Sequence, residues 1–104
     1  MQIAAPFGFT EIVPLNREKK VRLLRAGEMP AFARSVNAMP ISYSEFALIA
    51  REYPIVFTAA EGTQTYGPVA VLGMTAGENL YNHGGAWAGG VYVPAYARRF
   101  PFCM

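Results

Sequence analysis

Residues Met39 to Thr58, MPISYSEFALIAREYPIVFT, constrain this chain more than any other stretch. They specify a helix start, a helix stop and a strand in immediate succession. Ser42 stands where an N-cap belongs, and Glu45 follows at the spacing of a capping box. Ile41 before the cap and Phe46 after it fit a hydrophobic staple. Phe46, Ile49, Ala50 and Tyr53 recur at helical spacing and form one apolar face, with Arg51 and Glu52 off it. Pro54 lacks an N–H and ends the helix, so the principal helix is expected over about residues 42–53. Ile55, Val56, Phe57 and Thr58 then read as a strand buried on both faces.

The remaining segments fit around this unit. Residues 1–16, broken by Pro6, Gly8 and Pro14, read as an irregular arm with enough apolar side chains to dock. Lys20 to Ala26 reads as a charged edge strand ending at Gly27. Glu28 to Pro40 is a connector in which Phe32 and Val36 anchor a single helical turn. Glu61 to Gly67 has the polar, glycine-bounded composition of a hairpin loop, and Pro68 to Met74 forms the strand returning antiparallel. Thr75 to Asn79 is a turn, followed by a short strand at Leu80–Asn82. His83-Gly84-Gly85-Ala86 reverses the chain, since paired glycines accept positive φ, and Trp87 to Val93 returns along it, weakened at Gly89-Gly90. Pro94 opens a short helix running to Phe100, on which Tyr96 and Phe100 share a face. The sum is one α+β domain over residues 1–104: a small, mostly antiparallel sheet, one principal helix packed on a face, and a short C-terminal helix.

Four segments resemble the SapC proteins of bacterial surface-layer systems: EIVPLNREK (Glu11–Lys19), REYPIVF (Arg51–Phe57), VAVLGMTAGENL (Val69–Leu80) and YVPAYARRFPF (Tyr92–Phe102). Their order and spacing make the set more specific than any single piece. The resemblance implies the amino-terminal part of a longer domain, because family members continue past the RRFPF segment and this chain stops at Met104. It also implies a setting in surface-layer assembly or export. It brings no reaction and no catalytic residues.

Composition adds a conflict. The chain is 53% hydrophobic and only 15% charged, whereas ordinary globular domains carry about 25% charge. A small domain buries a modest fraction of its surface. Apolar surface is therefore expected to be covered by a second copy, making a homo-oligomer, or by a carboxy-terminal segment. The net charge of +2 gives no general attraction to nucleic acid. Arg17, Lys19, Lys20, Arg22 and Arg25 nonetheless crowd one stretch, readable as a solvated edge or as an anion patch. No window is long enough for a membrane span, and the amino terminus lacks the basic and apolar regions of a signal peptide, so a cytoplasmic location is the expectation.

Chemistry is constrained by inventory. The chain has no aspartate, so Asp-dependent triads, Walker B sites and EF-hand loops have no acid. Phosphate-binding glycine motifs and a G-x-S-x-G elbow are missing from the sequence. One cysteine, Cys103, and one histidine, His83, give neither a disulfide nor a metal set. No catalytic residue, metal or cofactor is therefore assigned, and a non-enzymatic interaction or assembly module is the leading expectation. The alternative is a ligand-binding or enzymatic domain in which the His83–Trp87 hairpin and the cations Arg98 and Arg99 hold a small anion or sugar. Tyr92, Tyr96 and Phe100, in the aromatic-rich final quarter, are expected to line an interface.

Overall fold

Glu28 to Pro40 supplies more structure than a connector. In the computed structural model, which describes residues 6–59 and 64–103, the expected helical turn forms as a 3-10 helix over Ala31–Ser35. It is followed by a short strand, β1 (Ala38–Pro40). Upstream, the strand expected at Lys20–Ala26 does not form; the segment is unpaired coil. Glu28 is the physical reason. Its carboxylate takes two hydrogen bonds from Arg22, at 3.1 and 2.7 Å, and one from the backbone N–H of Arg25 at 2.9 Å. The chain is thereby curled back on itself and offers no extended edge.

The Ser42–Glu45 capping box forms as the spacing predicts. A 3-10 turn over Tyr43–Glu45 leads into helix α1 (Phe46–Ile49), shorter than the expected 42–53. Tyr53 still donates to the carbonyl of Ile49, but so does Glu52, so the helix tightens and unwinds before Pro54.

Strand β2 (Ile55–Ala59) pairs antiparallel with β3 (Tyr66–Val71), as expected, with Phe57 opposite Pro68. Residues 60–63, which include the start of the expected hairpin loop, and the first five residues of the arm lie outside the described residues. Strand β1 joins the other side of β3, giving the order β1-β3-β2. That order corrects the expectation for Ile55–Thr58. The strand lies at an edge, and Val56 and Phe57 are 42% and 52% exposed.

The second sheet is a hairpin of β4 (Asn82–His83) and β5 (Ala86–Trp87), shorter than the sequence suggests. Gly84 and Gly85 both take positive φ, as this tight turn requires. Helix α2 (Ala95–Arg98) follows Pro94, which stands just before it. The core gathers Met29, Ala33, Met39, Ile49, Tyr53, Ala70, Leu72, Trp87 and Ala97 from nearly every element. Buried Asn79 ties the layers together, donating to the Ala33 carbonyl at 2.7 Å and accepting from the Tyr81 N–H. The arm docks as anticipated. Phe7 and Phe9 meet Phe32, while Phe7 also meets Tyr96 and Phe9 meets Phe100.

Candidate functional site

The three-stranded sheet holds the least expected surface. Alternation places Ile55, Phe57 and Ala59 on one face of β2, with Val56 and Thr58 on the other. The register aligns Ile55, Ala70 and Met39 across the sheet. Ala70 and Met39 are fully buried, so this row marks the core face. The next row, Val56, Val69 and Pro40, lies on the opposite face, beside Ala38 and Val71. No residue of β1, β2 or β3 is charged. A sheet with one solvated face normally alternates apolar and polar residues, and this one does not. An exposed edge is normally blunted by lysine, proline or a bulge, and β2 carries no charge and no proline.

An aromatic strip extends the same edge. Tyr43 packs on Phe46 at 5.2 Å between ring centroids, and Phe46 on Phe57 at 6.2 Å. Tyr43 is 68% exposed, and Leu48 on α1 is also exposed. The chain presents 7545 Å² to solvent, against about 5,800 Å² for a compact monomer of its mass. Among the described residues, more large apolar side chains are exposed than buried.

Glu45 anchors this unit to the C-terminal segment. Its Oε2 accepts from the Ser42 N–H at 3.0 Å, and its Oε1 accepts from the Tyr92 hydroxyl at 2.9 Å and the Ala95 N–H at 2.7 Å. Burial pushes the carboxyl up. The N–H groups of Ser42 and Ala95 and the Tyr92 hydroxyl more than offset that, holding it below the usual carboxylate range. Glu45 reads from sequence only as a capping residue; its wider role depends on contacts almost fifty residues away, for which no local pattern exists.

The residues expected to hold a ligand do not converge. His83 is exposed, and it faces Ala86 across the hairpin, whereas Trp87 faces Asn82. His83 and Trp87 therefore project from opposite faces of the ribbon. Trp87 is a core residue, 6% exposed, with its indole N–H unpartnered. Arg98 is engaged within its own segment, donating to the Val93 carbonyl at 2.9 Å and the Tyr92 hydroxyl at 2.8 Å. Arg99 lies 4.4 Å over the Tyr96 ring and lines an open hollow of about 300 Å³ with Ser42, Glu45 and Tyr96. Tyr92, Tyr96 and Phe100, expected at an interface, all make contacts inside the chain. Tyr92 hydrogen-bonds Glu45, Tyr96 donates to the Phe7 carbonyl, and Phe100 packs on Phe9 and Phe32.

Short antiparallel sheets and brief helices define a small α+β fold. The chain belongs to the SapC family: the family model matches residues 15–104, a span that takes in all the elements described above. Comparison with curated proteins and with solved structures gave no significant match.

Proposed function

We propose that this domain is a non-enzymatic interaction module that acts by burying its uncharged sheet against a protein surface, in the first place a second copy of itself. The carrying observation is the sheet of β1, β2 and β3, which has no charged residue and ends in the unblunted edge strand Ile55–Ala59. A neighbouring strand added to β2 satisfies its open backbone groups and covers Val56 and Phe57 together. Assembly or export of a bacterial surface layer is the biological setting that the family name suggests for such a module. Hydrogen exchange tests the reading: β2 amides should gain protection as protein concentration rises, and concentration-independent exchange there would contradict it.

A second reading, a site for a small anion or sugar, has one observation in its favour. Arg99 Nε is buried without a hydrogen-bond partner at the margin of the hollow it shares with Tyr96. On that reading, alanine at Arg99 abolishes ligand binding; on the first it leaves association intact.

A further inference from the structure

The basic stretch after the arm loses its simplest explanation once no strand forms there. Lysines on an edge strand guard against pairing, but residues 20–26 are coil and have no edge to guard. Instead the side chain of Asn16 accepts the backbone N–H groups of Glu18 and Lys19, both at 3.0 Å. The chain turns there, and Val13 and Leu15 come to line the same groove as Lys19, Lys20 and Val21, closed on the far side by Phe102. The groove is about 450 Å³ and mainly apolar, with Glu11 as its one acid.

Its apolar lining is open to water. Leu15 is 72% exposed, and Val13, Val21 and Phe102 are each more than 40% exposed. Lys19 and Lys20 are exposed, and among the described residues neither has a carboxylate partner; the one ion pair, Arg22–Glu28, lies elsewhere. Arg17 and Arg25 add exposed positive charge to the same stretch. Flexible cations beside protruding aliphatic side chains match the boundary of an anionic bilayer, where phosphates lie just outside acyl chains. Nucleic acid would favour aromatic stacking platforms between the cations, and within residues 17–25 the apolar side chains between the cations are Val21, Leu23 and Leu24, with no aromatic.

We propose that this groove docks the domain on an anionic lipid surface, with Leu15, Val13, Val21 and Phe102 entering the headgroup boundary and Lys19 and Lys20 meeting lipid phosphates. The contact is peripheral and separate from the uncharged sheet. Co-sedimentation of the full chain with vesicles tests it. Vesicles of phosphatidylcholine containing phosphatidylglycerol should capture the protein, and pure phosphatidylcholine should not. Each lysine contributes about five-fold in partitioning, so Lys19→Gln with Lys20→Gln should lower binding by roughly 25-fold. Leu15→Ser should also lower it at unchanged charge, while Val56→Ser, in the sheet and likewise at unchanged charge, should leave it intact. All four residues are exposed, and circular dichroism checks that each variant folds. Equal binding to neutral vesicles overturns the proposal, as does full binding by the double lysine variant. Undiminished binding by Leu15→Ser also overturns it, and points to a soluble acidic protein or nucleic acid held by charge alone.

Discussion

The Tyr92 hydroxyl donates to Glu45 Oε1 at 2.9 Å, joining the start of the principal helix to the segment that precedes α2. The same hydroxyl accepts from Arg98 at 2.8 Å, so cation, phenol and carboxylate form one line. Tyr53 reinforces it by donating to the Tyr92 carbonyl at 2.7 Å. Hydrogen bonds to a buried charge are stronger than neutral ones, and losing the acceptor strands several donors at once. Glu45→Gln should therefore destabilise the fold by about 2–3 kcal/mol, measured by urea unfolding.

The pH dependence follows with a definite sign. The carboxyl of Glu45 titrates lower in the folded chain than its ordinary value of 4.5. The unfolded state thus takes up its proton first on acidification. The stabilisation is complete above that ordinary value and is lost as pH falls through the depressed one. Wild-type stability should decline below about pH 4.5, and the decline should be shallower in Glu45→Gln. Equal slopes would mean that other carboxylates govern the acid limb.

Arm docking depends on a missing side chain at Gly8. Its φ is +85°, and a Cβ there would lie 2.5 Å from the Phe32 ring. Gly8→Ala should release Phe7 and Phe9 from Phe32, Tyr96 and Phe100. It costs at least about 1–2 kcal/mol from backbone conformation alone. Limited proteolysis should show faster cleavage after Phe9 with the rest of the domain resistant; unchanged cleavage would place the docking energy elsewhere.

Gly73 meets a harder limit. A Cβ at this position would come within 2.0 Å of the Glu78 carbonyl oxygen, a backbone atom with little freedom to yield. Gly73→Ala should cost about 3 kcal/mol or more, seen as a large fall in melting temperature or loss of soluble protein. A variant as stable as wild type would show that the turn at residues 75–78 moves freely.

Those two glycines illustrate what is legible in a sequence and what is not. Ser42 and Glu45 act through neighbours a few residues away, and the helix start follows from local chemistry, whereas the helix ends at Ile49, ahead of the stop that Pro54 predicts. The Gly84-Gly85 reversal is equally local. The strand expected at Lys20–Ala26 fails because Glu28, just beyond it, captures Arg22 and the Arg25 N–H. Ile55–Ala59 shows a different limit: an uncharged run reads as buried on both faces whether its own chain or another molecule covers it. The tryptophan and histidine of the hairpin lie close in sequence, but a two-residue strand period sends them to opposite faces. His83→Ala should accordingly change stability by less than about 0.5 kcal/mol, and Trp87→Ala by about 3–5 kcal/mol.

Light scattering on a size-exclusion column, run across a concentration series, shows whether the uncharged sheet joins one copy to another. The wild-type chain should pass from monomer to a discrete assembly as concentration rises. Val56→Lys, which puts a charge on the exposed edge strand, should remain monomeric at every concentration with its melting temperature little changed. A wild-type chain that stays monomeric throughout would contradict the account, and so would a Val56→Lys variant that assembles as wild type does.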